Sequence, residues 1–436
     1  MELAKWQKSK QQLYCRRTPG ETPLYRLVYH YAEQLQYLWD ERYLQQYGCL
    51  REAVVNAFER YLSCGILRHG CARVACPKCD YSQLIAFSCK RRGLCPSCDA
   101  KRGYLFAENL TENLLLPYPV RHLVFTIPKR LRVYFRYDRE LTKHLYSAAW
   151  HAWQQVCSRD HSRQTAMIAA LHTAGDLLNY HPHIHAIALS GSIERQGEFH
   201  AFEPNRQELT TVFADYLFSA LLDEGLIDKQ TVESMQSWQH SGFNVFVGDE
   251  IPPEDTEHLL FLARYLKRCP IALNRLSIIE QGAEPVVRVI KSTDQPEIYR
   301  QFSPLDFLAE LSQHIPDTFE QTVRYYGLFS ARTRGKKKLV EKTTALENII
   351  LGIRLPEERK PPSSSWARLI KKVYEVDPLL CPRCGETMKI VAFIQSQTEI
   401  KRICENLGIQ DWRAPPGFQT NPEPQVIELF DDLQYQ

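Results

Sequence analysis

Between Cys64 and Arg102 the chain places seven cysteines in short polar loops with little apolar periodicity. Such a stretch cannot close around a hydrocarbon core of its own and needs a metal to hold it. Two tetrapeptides, Cys76-Pro-Lys-Cys79 and Cys95-Pro-Ser-Cys98, stand fifteen residues apart. Zinc takes four soft ligands in a tetrahedron, and a CxxC knuckle turns two thiolates towards one point. The spacing predicts one structural zinc held by Cys76, Cys79, Cys95 and Cys98. Cys64, His69, Cys71 and Cys89 lie close by and could form a second site or replace one ligand. Cys381-Pro-Arg-Cys384 reads as a half-site whose partners are not visible in the sequence. Fourteen cysteines suit metal ligation in a reducing compartment better than a disulfide framework.

Charge is unevenly distributed. The net charge is +3, yet Ile66 to Arg136 carries 13 Lys/Arg against 4 Asp/Glu, and Arg332 to Lys338 reads RTRGKKK. Local excess of this kind draws phosphate backbones by releasing their condensed counterions. Lys90, Arg91, Arg92, Lys101 and Arg102, interleaved with the knuckles, are therefore candidate DNA contacts. No run reaches the roughly 18 apolar residues of a membrane span, and the N-terminal MELAKWQKSK lacks the apolar centre of a signal peptide. The expectation is a cytoplasmic, nucleoid-associated protein with no membrane partner.

Periodicity divides the chain into five parts. Residues 1–62 read as helical, with Val54, Val55, Phe58, Tyr61 and Leu62 recurring on one face. Residues 63–105 form the cysteine module. Residues 106–335 mix strand-like runs, His122–Pro128 and His183–Gly191, with helical patterns at Leu141–Val156, Phe213–Leu226 and Thr256–Lys267. That alternation predicts an α+β domain of helices on a mainly antiparallel sheet. Residues 336–365 read as a basic, Pro/Ser-bearing linker, and 366–436 as a small C-terminal module holding the last CxxC.

The segment HTAGDLLNYHPHIHAIALSG contains the chemistry. His183 and His185 alternate on one strand, so both imidazoles leave the same face. His172 lies eleven residues before His183, far enough for a neighbouring strand to return it as a third ligand. His181 shares the parity but sits at the strand start, before Pro182. Three imidazoles can hold one divalent ion while leaving positions open for a phosphate oxygen. A nucleophile is available in Tyr265, within FLARYLKRCPIAL, flanked by Arg264, Lys267 and Arg268, which could offset charge on a phosphoryl group. Tyr325 and Tyr326 in VRYYGLFS are rivals.

These residues resemble the rolling-circle insertion-sequence transposases of the IS91 type, members of the HUH endonucleases. The resemblance is carried in order by SCKRRGLCPSC (Ser88 to Cys98), GDLLNYHPHIH (Gly175 to His185) and WQHSGF (Trp238 to Phe243). ARYLKRCPIALNRL (Ala263 to Leu276), VRYYGLFS (Val323 to Ser330) and YEVDPLLCPRCG (Tyr374 to Gly385) complete it. It implies an HUH-type central antiparallel sheet, with His183-Ile184-His185 as the metal motif on a central strand and Tyr265 as the nucleophile. The step from His172 to His183 is similar to the three-histidine arrangement of conjugative relaxases, which implies His172 as third ligand. Two tyrosines four residues apart mark the founding members, whereas the earlier position here is Phe261. The chain thus resembles the single-tyrosine branch.

The resemblance implies nicking and rejoining of single-stranded DNA at element ends through a 5′-phosphotyrosine link, with Mg²⁺ or Mn²⁺ at the histidines and Zn²⁺ at the cysteines. A plasmid relaxase or replication initiator would use the same parts. Two rivals keep other chemistry: a non-catalytic zinc-finger DNA-binding protein with structural histidines, and a zinc hydrolase that cleaves without a covalent intermediate.

Overall fold

The computed structural model describes residues 17–157, 162–194, 197–239, 241–280, 282, 284–335 and 379–418. The expected linker at 336–365 and the lysines of the second basic run lie outside the described residues. Among the described residues no helix is long and apolar enough to cross a membrane.

The N-terminal helices are Pro23–Arg42 and Glu52–Leu62, the first started by Thr22, whose hydroxyl accepts from the Tyr25 amide. Leu24, Leu27, Val28, Leu35 and Trp39 lie on one face of that helix and are buried against Phe58 and the helix Pro304–Ser312. The cysteine module follows as a hairpin of β1 (Cys71–Ala75) and β2 (Ser82–Ala86), whose turn holds Cys76 and Cys79. It ends in the helix Pro96–Asn113, which begins at the second knuckle with proline at its first turn.

Five strands make the central sheet: β3 (Val120–Thr126), β4 (Ala166–Ala174), β5 (Tyr180–Leu189), β8 (Asn244–Ile251) and β12 (Val323–Gly327). Between β5 and β8 come the short hairpin β6 (Gly191–Ile193) and β7 (Phe199–Ala201). The sheet order is β12–β4–β5–β3–β8, and every neighbouring pair is antiparallel. The α+β expectation holds, and the sheet is consistent with the HUH-type fold. The expected helices are present as Thr142–Cys157, Arg206–Asp223 and Thr256–Tyr265. The last stops two residues short of the expected Lys267, so Lys267 and Arg268 sit beyond the helix end.

Both faces of the sheet are covered, which is why β4 and β5 read as nearly unbroken apolar runs rather than alternating ones. On one face Leu123, Phe125, Met167, Ala169, Ile184 and Ala186 pack against Trp153, Phe213 and Leu217 of the helices Thr142–Cys157 and Arg206–Asp223. On the other, Val120, Ile168, Ala170, Ile187 and Leu189 meet Leu259, Leu262 and Ala263 of the helix Thr256–Tyr265, together with Ala107 and Leu110 of Pro96–Asn113. The odd positions of β5 and the even positions of β3 and β4 point to this second face, and the histidines have that parity.

Two strand systems were not legible as such. A second antiparallel sheet, β9 (Leu276–Ile279), β10 (Val286–Ser292) and β11 (Gln295–Phe302), backs the N-terminal helices. The C-terminal segment, expected as a module of its own, instead contributes β13 (Lys389–Ile394) to the cysteine module, paired antiparallel with β1.

Phe125 is fully buried near the C-terminal end of β3, its ring 5.1 Å from that of Phe213. Phe125→Ala should cost about 3–5 kcal/mol by lost burial and the cavity left behind. Urea unfolding followed by circular dichroism checks it; a loss below about 1 kcal/mol would mean the layer is not packed as described.

Candidate active site

The β4–β5 pairing brings the histidines together. His172 is directly opposite His183, and His185 faces Ala170, whose small side chain leaves room between the rings. Ring centroids of His172 lie 5.7 Å from His183 and 4.4 Å from His185. One potential ligand atom from each of His172, His183 and His185 lies within 4.8 Å of the others. The Nε2 atoms of His183 and His185 are 3.0 Å apart. Two ring nitrogens at that distance cannot both carry protons, so they share either one proton or one cation.

Neighbouring acceptors set the ring orientations. His183 Nδ1 lies 2.6 Å from the His181 carbonyl, to which it donates, leaving Nε2 as the lone-pair atom. His172 Nε2 lies 3.3 Å from the Leu266 carbonyl. His185 Nδ1 meets His122 Nε2 at 3.0 Å, and these two rings stack at 5.3 Å with an interplanar angle of 10°. His122 on β3 was not picked out from the sequence, because its partnership depends on the β3–β5 register. Such outer partners fix ligand orientation much as the ligands fix a metal.

Burial keeps these imidazoles neutral. It pushes His183 and His122 down to about 4, and it holds His172 and His185 well below the ordinary histidine range, reinforced by neighbouring histidines and by Arg268. Neutral imidazole is the metal-binding form, so the donor set fits a divalent cation without first losing protons.

Tyr265 ends the helix that covers this face. Its ring centroid is 5.0 Å from His185, 5.8 Å from His172 and 6.2 Å from His122. The Arg268 guanidinium carbon lies 4.5 Å over the same ring. The rivals are elsewhere. Tyr325 and Tyr326 pair with Ile168 and Met167, and Tyr326 stacks on Trp150 at 5.3 Å. Four residues along β4 separate Ile168 from His172, roughly 13 Å. Phe261, one turn before Tyr265, is 59% exposed and so occupies no core position.

The cysteines divide differently from the expectation. Cys95 and Cys98 gather with Cys64 and Cys89, the Cys64 sulfur lying 3.6 Å from that of Cys95 and 3.9 Å from that of Cys98. Cys76 and Cys79 belong to another cluster, with Cys381 and Cys384. One site of Cys76, Cys79, Cys95 and Cys98 is therefore corrected: the two knuckles face different centres because the β1–β2 hairpin carries the first away from the second. His69 and Cys71 join neither cluster.

The basic candidates also separate. Lys267, Arg268, Arg92 and Arg102 line a cavity of about 90 Å³ with His172 and Thr173. Burial, then the charges of Arg92 and Arg102, lowers Lys267 to about 8, partly offset by Asp99, which shares the lining with Glu320. Arg92 also donates to the Asp317 and Glu320 carbonyls. Arg102 pairs with Asp99 and donates to the Lys90 carbonyl. Arg264 turns to the Tyr104 hydroxyl at 2.9 Å, away from the histidines. Lys90 is exposed and Arg91 half-buried, while Lys101 is half-buried near the sulfurs of Cys98 and Cys64.

A family model described as "Transposase zinc-binding domain" matches residues 35–127, and one described as "Putative transposase" matches residues 166–337, the latter containing every histidine of the trio and Tyr265. The chain is 27% identical over 379 residues to the "Transposase for insertion sequence element IS801" of Pseudomonas savastanoi pv. phaseolicola, covering 82% of this chain and 88% of that one. The chain belongs to the IS91-type transposases. It is also 25% identical over 328 residues to the "Putative transposase y4qJ" of Sinorhizobium fredii, covering 69% of this chain and 80% of the relative. No solved structure matches significantly. As a transposase it is a DNA-processing enzyme, and its zinc-binding domain and cysteine clusters support structural zinc.

The buried histidines make a pH prediction. His183, His122 and the buried His314, which burial lowers to about 3, all have folded values below the ordinary 6.5. The unfolded chain then binds more protons between about pH 4 and 6.5, so stability is full above that window and falls as pH drops through it. Metal-free protein should lose on the order of 1 kcal/mol per such histidine per pH unit. Denaturation midpoints compared at about pH 7.5 and 5 test this; equal midpoints would mean the rings are not buried neutral.

Proposed function

We propose that this transposase nicks and rejoins single-stranded DNA at element ends through Tyr265, with His172, His183 and His185 holding a divalent cation. The observation that carries the reading is the Tyr265 ring 5.0 Å from His185, on the face where the three imidazoles converge. A bound Mg²⁺ or Mn²⁺ would polarise a non-bridging oxygen of the scissile phosphate.

Tyr265 Oη attacks that phosphorus in line. The bond to the 3′ oxygen breaks, leaving a 5′-phosphotyrosine and a free 3′-hydroxyl, and the reverse attack on another strand rejoins the DNA. The phosphodiester energy is conserved in the link, so no nucleotide cofactor is required. Arg268 stays over the tyrosine ring, while Lys267, Arg92 and Arg102 offer the neighbouring cavity to an adjacent phosphate. Arg264, Lys101, Lys90 and Arg91 would contribute to backbone binding at longer range. A single tyrosine at this helix end favours one nucleophile per chain, since Phe261 has no hydroxyl.

On single-stranded end sequences with Mn²⁺, Tyr265→Phe should abolish covalent protein–DNA adducts, lowering strand cleavage by about three orders of magnitude or more. Adducts that persist in this variant on denaturing gels would remove Tyr265 from the role. Cleavage without any adduct in the wild type would favour a hydrolase. His183→Ala should lose Mn²⁺ binding by calorimetry, and His122→Ala should weaken it about 10–100-fold while cleavage survives at saturating metal. Unchanged affinity in both would refute the metal site.

A further inference from the structure

The cluster of Cys76, Cys79, Cys381 and Cys384 plays no part in the reaction, and its second half lies outside both segments matched by the family models. Its sulfurs lie within 4.8 Å of one another, with Cys76 and Cys384 at 3.5 Å and Cys79 and Cys381 at 3.5 Å. Tetrahedral zinc with bonds of about 2.3 Å sets its sulfurs about 3.8 Å apart. The two tetrapeptides are built alike. Each is Cys-Pro-Lys/Arg-Cys followed by a residue in the left-handed region, Asp80 at φ 57° and Gly385 at φ 71°. Each is also closed by a backbone bond at its base, Cys76 N to the Tyr81 carbonyl and Cys381 N to the Glu386 carbonyl. The Lys78 amide points at the Cys76 sulfur at 3.4 Å, as expected where a thiolate is to be stabilised.

We propose that this cluster is a second zinc site, a clasp joining two segments about 300 residues apart and fixing the C-terminal segment to the cysteine module. The strands next to the knuckles, β1 and β13, pair with one another, so zinc would close a three-stranded ribbon of β13–β1–β2. Other contacts also hold the segment: Met388 packs with Val74 and Ile85, Trp412 and Phe418 pack on the N-terminal core, and Arg26 donates to the Pro416 and Gly417 carbonyls. Ile400 and Cys404 form a small cluster with Leu67, Cys71 and Leu84, and Arg68 meets Asp411 at 3.2 Å on the surface. Closing so long a loop carries an entropic cost that these contacts and one strand pair must meet without the metal. The two zinc sites should also differ in lability. Cys64, Cys89, Cys95 and Cys98 are all buried, whereas Cys384 is exposed and Cys79 half-buried.

The test uses the full chain, with zinc counted by elemental analysis and its release to a chromogenic chelator followed in time. Wild type should carry two zinc ions and release them in a fast and a slow phase. Cys381→Ser/Cys384→Ser should carry one, released only slowly, with faster amide exchange in β1 and β13 and unchanged exchange in β4 and β5. Cys89→Ser should lose the slow zinc and keep the fast one, which guards against general unfolding as the cause. Cobalt loaded into the Cys89→Ser protein should give the intense thiolate bands of a tetrahedral four-sulfur site. A wild type with a single zinc, or a double serine variant that keeps both, overturns the proposal. The former result is what one shared site of Cys76, Cys79, Cys95 and Cys98 would give.

Discussion

The candidate site depends first on the register of β4 against β5. Antiparallel pairing puts His172 opposite His183, with His185 two pairs further in and facing Ala170. Side chains alternate faces with every residue, so a slip of one position would send His172 to the opposite face, among Met167, Ala169 and Leu171. That register is held by burial on both sides. Leu171 and Ile184 are committed to one layer and Ala170 and Ile187 to the other. The fold thus fixes the histidines through the apolar residues between them.

The tyrosine is fixed by a second packing. Gly103, Ala107 and Leu110 form a narrow stripe on the helix Pro96–Asn113, and Gly103 lets its backbone approach Arg264. The helix that begins at the Cys95–Cys98 knuckle therefore presses on the helix that ends at Tyr265. Its other end is anchored through the Cys64, Cys89, Cys95 and Cys98 cluster, which is part of the N-terminal apolar core with Phe58 and Leu94. The Cys64, Cys89, Cys95 and Cys98 cluster and Tyr265 are thus linked through one helix–helix contact. The cationic cavity lies along the same seam, lined by Arg92 and Arg102 from the cysteine module and by Lys267 and Arg268 from beyond the tyrosine helix.

Burial explains the electrical character of the site. With no carboxylate among the three gathered donors, only neutral imidazoles can be packed this closely. Arg268 adds positive charge beside them, which further disfavours protonation. In the proposed reaction such a site would gain from a cation at the histidines and an anion at the neighbouring cavity, the two charges that a metal-bound phosphate would bring together.

The sequence by itself determined the local features. Strand parity placed His183 and His185 on one face, helical spacing and flanking prolines or glycines located most of the long elements, and the CxxC tetrapeptides declared thiolate ligands. These are properties of periods of two and 3.6 residues, and they need no knowledge of what lies opposite. Only the tertiary structure decided the partnerships: Cys76 and Cys79 with Cys381 and Cys384 rather than with the second knuckle, His122 behind His185, and Tyr265 rather than Tyr325 or Tyr326 over the trio. Those choices depend on strand order and register across tens to hundreds of residues, and the ligand spacing within a tetrapeptide carries no information about them.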